Sequence, residues 1–311
     1  MNAPRYAILE VRELLRRASP IEEARDPVVR YLCALFAELA YHHVPQWEID
    51  GDRRRAELIP CRAYQTLVAR GVGTDVQTIL QQSEVGRSFV AEDRGVIAVG
   101  PQIDDLLFIG FRGTRFLFDW RINLRSRLVP IDGRFHPYRL GGRLHSGFSE
   151  EALRISTKIA DIIADRHLSD DVRGVFLSGH SLGGAVAAIA GHSLHIAPTS
   201  VCIFGAPRYG DMGSYGASGS PPTHVRRVGD VIPTVPPKWL GYVDHPYEFK
   251  TSGQPYVDSR ARPLLLSDSW HWATFLGNRF RPHHIESYRA ELGTAANASA
   301  AHSPLTDFAR L

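Results

Sequence analysis

Apolar side chains recur at helical spacing in the first part of the chain. Residues 5–17 place apolar side chains on one side and arginines on the other, which predicts an amphipathic helix that packs on the core or lies on a membrane surface. A second helix is predicted from Asp26, a capping residue, through Pro27 in its first turn to about Pro45. Residues 1–45 are therefore expected to form N-terminal helices.

Strand-like patterns follow in the middle of the chain. Apolar runs at residues 95–100 and 106–111 are joined by a short polar connection and predict a β-hairpin. Residues 46–92 before it carry no recognisable chemistry and predict only a short helix at 75–82. Residues 112–143 after it are rich in Arg, Gly and Pro and lack a period, which predicts a long excursion above a sheet instead of regular structure.

Strands and helices alternate from residue 146 onwards. They are a helix at 149–167, a strand at 175–178, an Ala-rich helix after Ser181, and strands at 200–204 and 224–228. This order predicts an α/β fold with a mostly parallel central sheet flanked by helices, in a single domain over residues 1–311. The Ala- and Ser-rich residues 294–311 are expected to be a mobile tail.

Composition excludes several classes of function. The 36 basic and 33 acidic side chains give a net charge of +3, which offers no electrostatic case for nucleic acid. Cys33, Cys61 and Cys202 are widely spaced and odd in number, so they predict neither a disulfide framework nor a zinc site. A reducing compartment fits them, and because no secretory segment or long apolar run is visible, a soluble, cytoplasmic location is expected.

The strongest chemical signal is a Gly-x-Ser-x-Gly motif, Gly179-His180-Ser181-Leu182-Gly183, between an apolar strand and an Ala-rich helix. This context predicts a nucleophile elbow, in which a sharp turn presents the serine hydroxyl above the sheet. Gly179 and Gly183 leave room for the turn and for close helix packing, and the helix N-terminus offers N–H groups to an oxyanion. The alternative is a tight turn without chemistry.

A serine nucleophile needs a base that removes its proton and an acid that orients the base. In α/β-hydrolases these residues follow in the order Ser, Asp or Glu, His. Asp230 comes at the end of the predicted strand 224–228 and is the predicted acid. The rival carboxylates, which follow less clear strands, are Asp211, Asp244, Asp258 and Asp268.

The candidate bases are the histidines downstream of Asp230. They are His245, His271, His283, His284 and His302. His302 falls in the predicted tail, whereas His283 and His284 both come just before a predicted helix, a placement that suits a base. Their spacing matches no metal-binding motif, so neither a metal nor a cofactor is expected.

Seven motifs, taken in order, resemble those of the class 3 lipase family, the fungal-type triacylglycerol lipases and their bacterial relatives. They are FRGT at 111–114, DWRINL at 119–124, LHSGF at 144–148, GHSLGGA at 179–185, FGAPRYG at 204–210, RVGDVIPTVPP at 227–237 and HHIESYRAEL at 283–292. The resemblance implies an α/β-hydrolase fold and an esterase or lipase with Ser181 as nucleophile and Asp230 as acid. Its base lies five positions before a tyrosine, which favours His283 over His284.

The resemblance also implies an oxyanion hole formed by Thr114 and the backbone N–H of Leu182. Residues 115–143, with aromatic side chains among arginines, are a candidate lid that touches a lipid interface transiently, unless these aromatics simply cover the core. The chain departs from the family at Gly229 and Pro282, where relatives often carry Asn and Asp.

The sequence thus predicts a serine hydrolase that cleaves a small-molecule or lipid ester with an apolar acyl group. Two alternatives are an acyltransferase or thioesterase with the same serine, and a non-catalytic hydrolase-like binding protein. The secreted fungal members are held by disulfides that this chain cannot form, so its compartment is expected to differ. His145, in LHSGF, is interpreted as a structural residue near the elbow.

Overall fold

A computed structural model describes residues 26–41, 87–113, 127–131, 141–165, 167–168, 172–194, 196, 199–216, 221–257 and 281–301. The helices are α1 (Pro27–Leu39), α2 (Ser146–Asp165), α3 (Leu182–Ser193), α4 (Met212–Gly216) and α5 (Ile285–Ala301). The strands are β1 (Arg87–Asp93), β2 (Val96–Ile103), β3 (Leu106–Phe111), β4 (Leu128–Pro130), β5 (Arg143–His145), β6 (Gly174–His180), β7 (Thr199–Phe204), β8 (Thr223–Val225) and β9 (Glu248–Phe249).

Seven strands form the central sheet in the order β1-β2-β3-β6-β7-β8-β9. The β1–β2 and β2–β3 pairs are antiparallel, and every later pair, from β3–β6 to β8–β9, is parallel. The predicted α/β class with a mostly parallel sheet is therefore confirmed.

Helices cover both faces of this sheet. Helices α1 and α5 pack on one face, and α2 and α3 pack on the other. Side chains of β3 alternate between the two cores, since Phe108 packs on Phe36 of α1 with ring centroids 4.8 Å apart while Ile109 lies in the α2–α3 core. Strands that are buried on both faces consist of continuous apolar residues, and the sequence has such apolar runs at these strands.

The N-terminal and C-terminal helices of the described chain lie against each other. Asp26 caps α1 as predicted, because its carboxylate accepts hydrogen bonds from the backbone N–H groups of Val28 and Val29 at 2.7 and 3.3 Å. Glu38 of α1 pairs with Arg289 of α5. Helix α1 ends at Leu39, short of the predicted end at Pro45.

Several predicted boundaries were wrong. Strand β2 continues through Pro101 to Ile103, so the turn before β3 consists of only Asp104 and Asp105. Strand β8 ends at Val225, earlier than predicted. Strand β1 was not predicted at all. Part of the 112–143 excursion is regular, since β4 pairs with β5. The spacing of apolar residues does not reveal such strands, because the strands that pair with them are distant in sequence.

Helix α5 continues into the segment expected to form a tail. It extends through Gly293 to Ala301, and alanine is the best helix former. The predicted helices at 5–17 and 75–82, and most of the candidate lid, lie outside the described residues. Within the described ranges, no helix is both long and apolar enough to cross a membrane.

Candidate active site

Ser181 lies at the sharp turn between β6 and α3. Its backbone has φ 58° and ψ −130°, a conformation that costs on the order of 1–3 kcal/mol for a residue with a side chain. The Ser181 N–H donates to the carbonyl of Phe204 in β7 at 2.9 Å, which fixes the turn against the sheet. This is the strand–turn–helix geometry of a nucleophile elbow.

The two motif glycines allow close approach of the backbone at the elbow. A Cβ on Gly179 would lie 2.1 Å from the carbonyl oxygen of Gly183, and a Cβ on Gly183 would lie 2.4 Å from the carbonyl oxygen of Phe111. Neither position accommodates a side chain without backbone movement. Helix α3 therefore begins directly above β3 and β6.

Asp230 lies in the loop after β8 and is buried, with 2% of its surface exposed. Its Oδ1 accepts a hydrogen bond from the N–H of Ile232 at 3.0 Å. Burial acts to raise the pKa of this carboxyl, but the nearby His283 and the hydrogen-bond donors outweigh it and hold the pKa below its ordinary value. The preceding Gly229 has φ 87°, which glycine and asparagine both tolerate, so the departure from the family preserves the turn.

His283 is the histidine that meets this carboxylate. Its Nδ1 lies 2.9 Å from Oδ2 of Asp230, at the end of a short 3₁₀ turn, Arg281–His283. The neighbouring His284 instead has a side chain that is 43% exposed, and its nearest ion-pair partner is Glu286 at 3.9 Å. The structure thus brings His283 to Asp230 and leaves His284 at the surface.

The other candidate bases and acids lie elsewhere. His245 is buried beside Tyr215, with ring centroids 4.9 Å apart. Asp211 pairs with Arg143. Asp244 pairs with Arg208 and Lys238. The candidates outside the described residues are Asp258, Asp268, His271 and His302.

Tyr288 is a site residue whose role the sequence did not reveal. Its hydroxyl donates to Oδ2 of Asp230 at 2.5 Å and accepts from the N–H of Arg227 at 3.1 Å. Burial and the Asp230 charge raise its pKa well above the ordinary value, so the hydroxyl keeps its proton and remains a donor. Helical spacing indicated only that Tyr288 packs on the sheet.

One half of the predicted oxyanion hole can be placed. Leu182 is the first residue of α3, where backbone N–H groups have no acceptor within the helix. A Cβ on Gly113 would lie 3.2 Å from the Cβ of Ser181, so the segment that leads to Thr114 approaches the serine closely. Thr114 itself lies outside the described residues.

The remaining predicted residues are both buried histidines. His180 has its Nε2 2.6 Å from the carbonyl oxygen of His283 and its Nδ1 2.8 Å from the Tyr41 hydroxyl. His145 stacks on Phe148 with ring centroids 3.8 Å apart and accepts a hydrogen bond from the Phe148 N–H.

No cluster of metal-ligating side chains occurs among the described residues.

Comparison with known proteins shows which proteins this chain is similar to. Residues 108–239 match the family model described as lipase (class 3). A lipase from Rhizopus niveus is 28% identical over 155 residues, which cover 45% of this chain and 37% of the relative. Phospholipase A1-II 7 from Oryza sativa subsp. indica is 27% identical over 213 residues, which cover 56% of this chain and 51% of the relative.

Among solved structures, the triacylglyceride lipase of Rhizomucor miehei is similar with a TM-score of 0.49 at 19% identity, covering 71% of this chain and 78% of that chain. The chain spans about half or less of the length of the curated relatives quoted above.

A mostly parallel sheet, with a serine at a strained strand–helix turn, is the architecture of the α/β-hydrolase fold. The family model covers less than half of the chain, and it is the class 3 lipase family that the order of the motifs resembles. The matched segment includes Ser181 and Asp230, whereas Tyr41 and His283 lie outside it.

Proposed function

We propose that this protein hydrolyses carboxylic esters with a lipid-like or other apolar acyl group through Ser181, His283 and Asp230. The observation that carries the proposal is the 2.9 Å contact between His283 and the buried Asp230 carboxylate, since His283 also contacts His180, the residue before the serine at the strained elbow. Such a constellation turns a weakly nucleophilic hydroxyl into an attacking group. Relatives named lipase and phospholipase A1 support an ester of this kind.

The hydrogen bonds support a division of catalytic roles among these residues. Because Nδ1 of His283 donates to Asp230, the Nε2 side of the ring is left to take the proton of Ser181 as the hydroxyl attacks the ester carbonyl. The N–H groups of Leu182 and Thr114 stabilise the oxyanion, and His283 then protonates the leaving alcohol. Water, activated by the same histidine, hydrolyses the acyl-enzyme and restores the serine. The ionised Asp230 stabilises the imidazolium in both steps.

The proposal is tested by p-nitrophenyl ester hydrolysis over a series of acyl lengths. Wild type should turn over the esters, and Ser181→Ala should lose at least about 10³-fold in kcat. Ser178→Ala is a matched control, because Ser178 lies in β6 only three residues before Ser181 and its buried hydroxyl has no hydrogen-bond partner among the described residues. This control should retain the wild-type rate.

Other outcomes identify the competing functions. Equal rates for wild type and Ser181→Ala would exclude Ser181 as nucleophile. No turnover by wild type would favour a hydrolase-like binding protein. Faster acyl transfer to an added alcohol than to water, or a strong preference for thioesters, would indicate an acyltransferase or a thioesterase.

We also infer that the chain forms one domain and that residues 115–143 act as a lid over the proposed active site. In the described part of this segment, Leu128–Pro130 pairs with Arg143–His145, and Ile131 is buried, which ties the end of the segment to the body. A jump in activity when the ester substrate forms droplets supports a lid, and a smooth dependence on substrate concentration argues against one.

We further propose a cytoplasmic location. Cys33 in α1 and Cys202 in β7 are buried free thiols in mutual contact, which a reducing compartment preserves. Fractionation of the source cells tests this location, and recovery of the protein from the extracellular medium would contradict it.

A further inference from the structure

His180, the residue directly before Ser181, is held at both of its ring nitrogens. It is 5% exposed, its Nε2 lies 2.6 Å from the carbonyl oxygen of His283, and its Nδ1 lies 2.8 Å from the hydroxyl of Tyr41. A carbonyl oxygen can only accept, so Nε2 carries the ring proton and Nδ1 accepts the proton of Tyr41. The two partners thus define one tautomer of a buried imidazole.

The surroundings also keep this imidazole neutral. Burial, together with repulsion from His283, lowers the pKa of His180 well below its ordinary value. The rings of His180 and His283 have centroids 4.4 Å apart, so a charged His180 would oppose the imidazolium that forms on His283 during the proposed reaction. A neutral donor can hold the base without competing with it for charge.

The group that His180 holds is the backbone of the proposed base. His283 contacts Asp230 through its ring and His180 through its carbonyl, and the preceding carbonyl of Pro282 accepts from Nη1 of Arg227 at 2.8 Å. Two side chains therefore fix two successive peptide groups. One of these side chains is the neighbour of the nucleophile, so a single hydrogen bond links the elbow to the loop of the base.

We propose that His180 is a positioning residue that sets the placement of His283 relative to Ser181, with Tyr41 selecting its tautomer. The proposal rests on the proposed ester hydrolysis and adds a role for the chain just after α1. Tyr41 lies outside the segment that matches the family model. The N-terminal part of the chain thereby completes the site instead of only covering the sheet.

Two substitutions of His180 separate positioning from packing. Gln places an amide donor near the Nε2 position and an amide oxygen that can accept from Tyr41, whereas Phe keeps the ring and its contacts but offers no donor. His180→Phe should lower kcat for a soluble p-nitrophenyl ester by about 10²-fold, with KM nearly unchanged, because displacement of the base by about 1 Å has effects of that size. His180→Gln should be at least about tenfold faster than His180→Phe.

Tyr41→Phe is a milder test of the same hydrogen-bond chain. It removes the donor to Nδ1 but leaves the Nε2 bond available, so a smaller loss in kcat, about threefold, is expected at constant KM. Thermal unfolding of each variant shows whether the protein is folded at the assay temperature.

A proton NMR measurement makes the inference independent of turnover. The low-field resonance of the His283 Nδ1 proton, identified by its absence in His283→Gln, should persist in His180→Gln and broaden or shift in His180→Phe. If wild type hydrolyses no ester, the proposed function fails while this comparison still decides the positioning role. A fast His180→Phe with an unchanged resonance, or a slow His180→Gln, would overturn the inference.

Discussion

At the scale of single residues, the candidate site consists of buried polar atoms whose partners decide their protonation. Asp230 receives donors at both carboxylate oxygens and stays ionised, and Tyr288 donates to it and keeps its proton. His180 is a neutral donor to the His283 carbonyl. His283 is therefore the group that gains and loses a proton in the proposed reaction.

The carboxylate is the residue whose replacement tests this division of roles. Asp230→Asn preserves the shape of the side chain but presents an amide to His283 and removes the charge that stabilises the imidazolium, so kcat for ester hydrolysis should fall about 10³–10⁴-fold. Asp211→Asn is the control, since Asp211 is a carboxylate that accepts hydrogen bonds from Arg143 and Ser214 and from no residue of the proposed triad. Similar rates for the two variants would contradict the assignment of Asp230.

At the scale of elements, local sequence is informative wherever a segment decides its own structure. The elbow follows from an apolar strand, two glycines and an Ala-rich helix, and all of these are contiguous in the chain. Strand β1 could not be predicted in this way, because it is defined by pairing with β2. The role of Tyr41 was equally hidden, since its partner His180 is 139 positions away.

Helix α1 illustrates an element that is stabilised by packing more than by its own propensity. Phe36 is fully buried and packs on Phe108, which in turn stacks on Phe176 with ring centroids 5.1 Å apart. We expect Phe36→Ala to lower the free energy of unfolding by about 3–5 kcal/mol, because it leaves a cavity between α1 and the sheet.

Urea unfolding at neutral pH measures this loss. The control is Trp239→Ala, which removes a large aromatic side chain that is 77% exposed and should change the stability by less than about 0.5 kcal/mol. A similar effect for both substitutions would show that α1 contributes little to the stability of the sheet.

At the scale of the whole molecule, chain order guided the choice of candidate site residues, whereas several strand boundaries were predicted wrongly. The order of Ser181, Asp230 and His283 was predicted from the requirement that acid and base follow the nucleophile at later strand ends. The choice between His283 and His284 needed the family resemblance at that stage, because adjacent residues share the same local pattern. In the structure their surroundings differ sharply, since His283 contacts a buried carboxylate and His284 is exposed to solvent.

Buried histidines also connect the fold to the pH dependence of its stability. Burial, together with the nearby His224, lowers the pKa of His245 well below its ordinary value, so the folded protein holds this residue neutral. The unfolded chain takes up a proton near pH 6.5, and stability is therefore lost as the pH falls below that value towards the pKa in the folded state. Glu151, whose pKa is raised by burial to about 7, acts in the opposite direction over part of the same range.

A comparison of variants isolates the contribution of His245. Asn at this position retains an acceptor for the N–H of Tyr247, which donates to Nδ1 of His245 at 3.2 Å, but it cannot titrate. Between pH 7.5 and 5.0, urea unfolding of His245→Asn should show a loss of stability smaller than that of wild type by about 2 kcal/mol, the value for a group that stays neutral in the fold. Val243→Ala, a neighbouring change that removes no titratable group, should lose as much as wild type over the same interval. If His245→Asn loses as much as Val243→Ala, then His245 takes up a proton in the folded state as readily as in the unfolded chain.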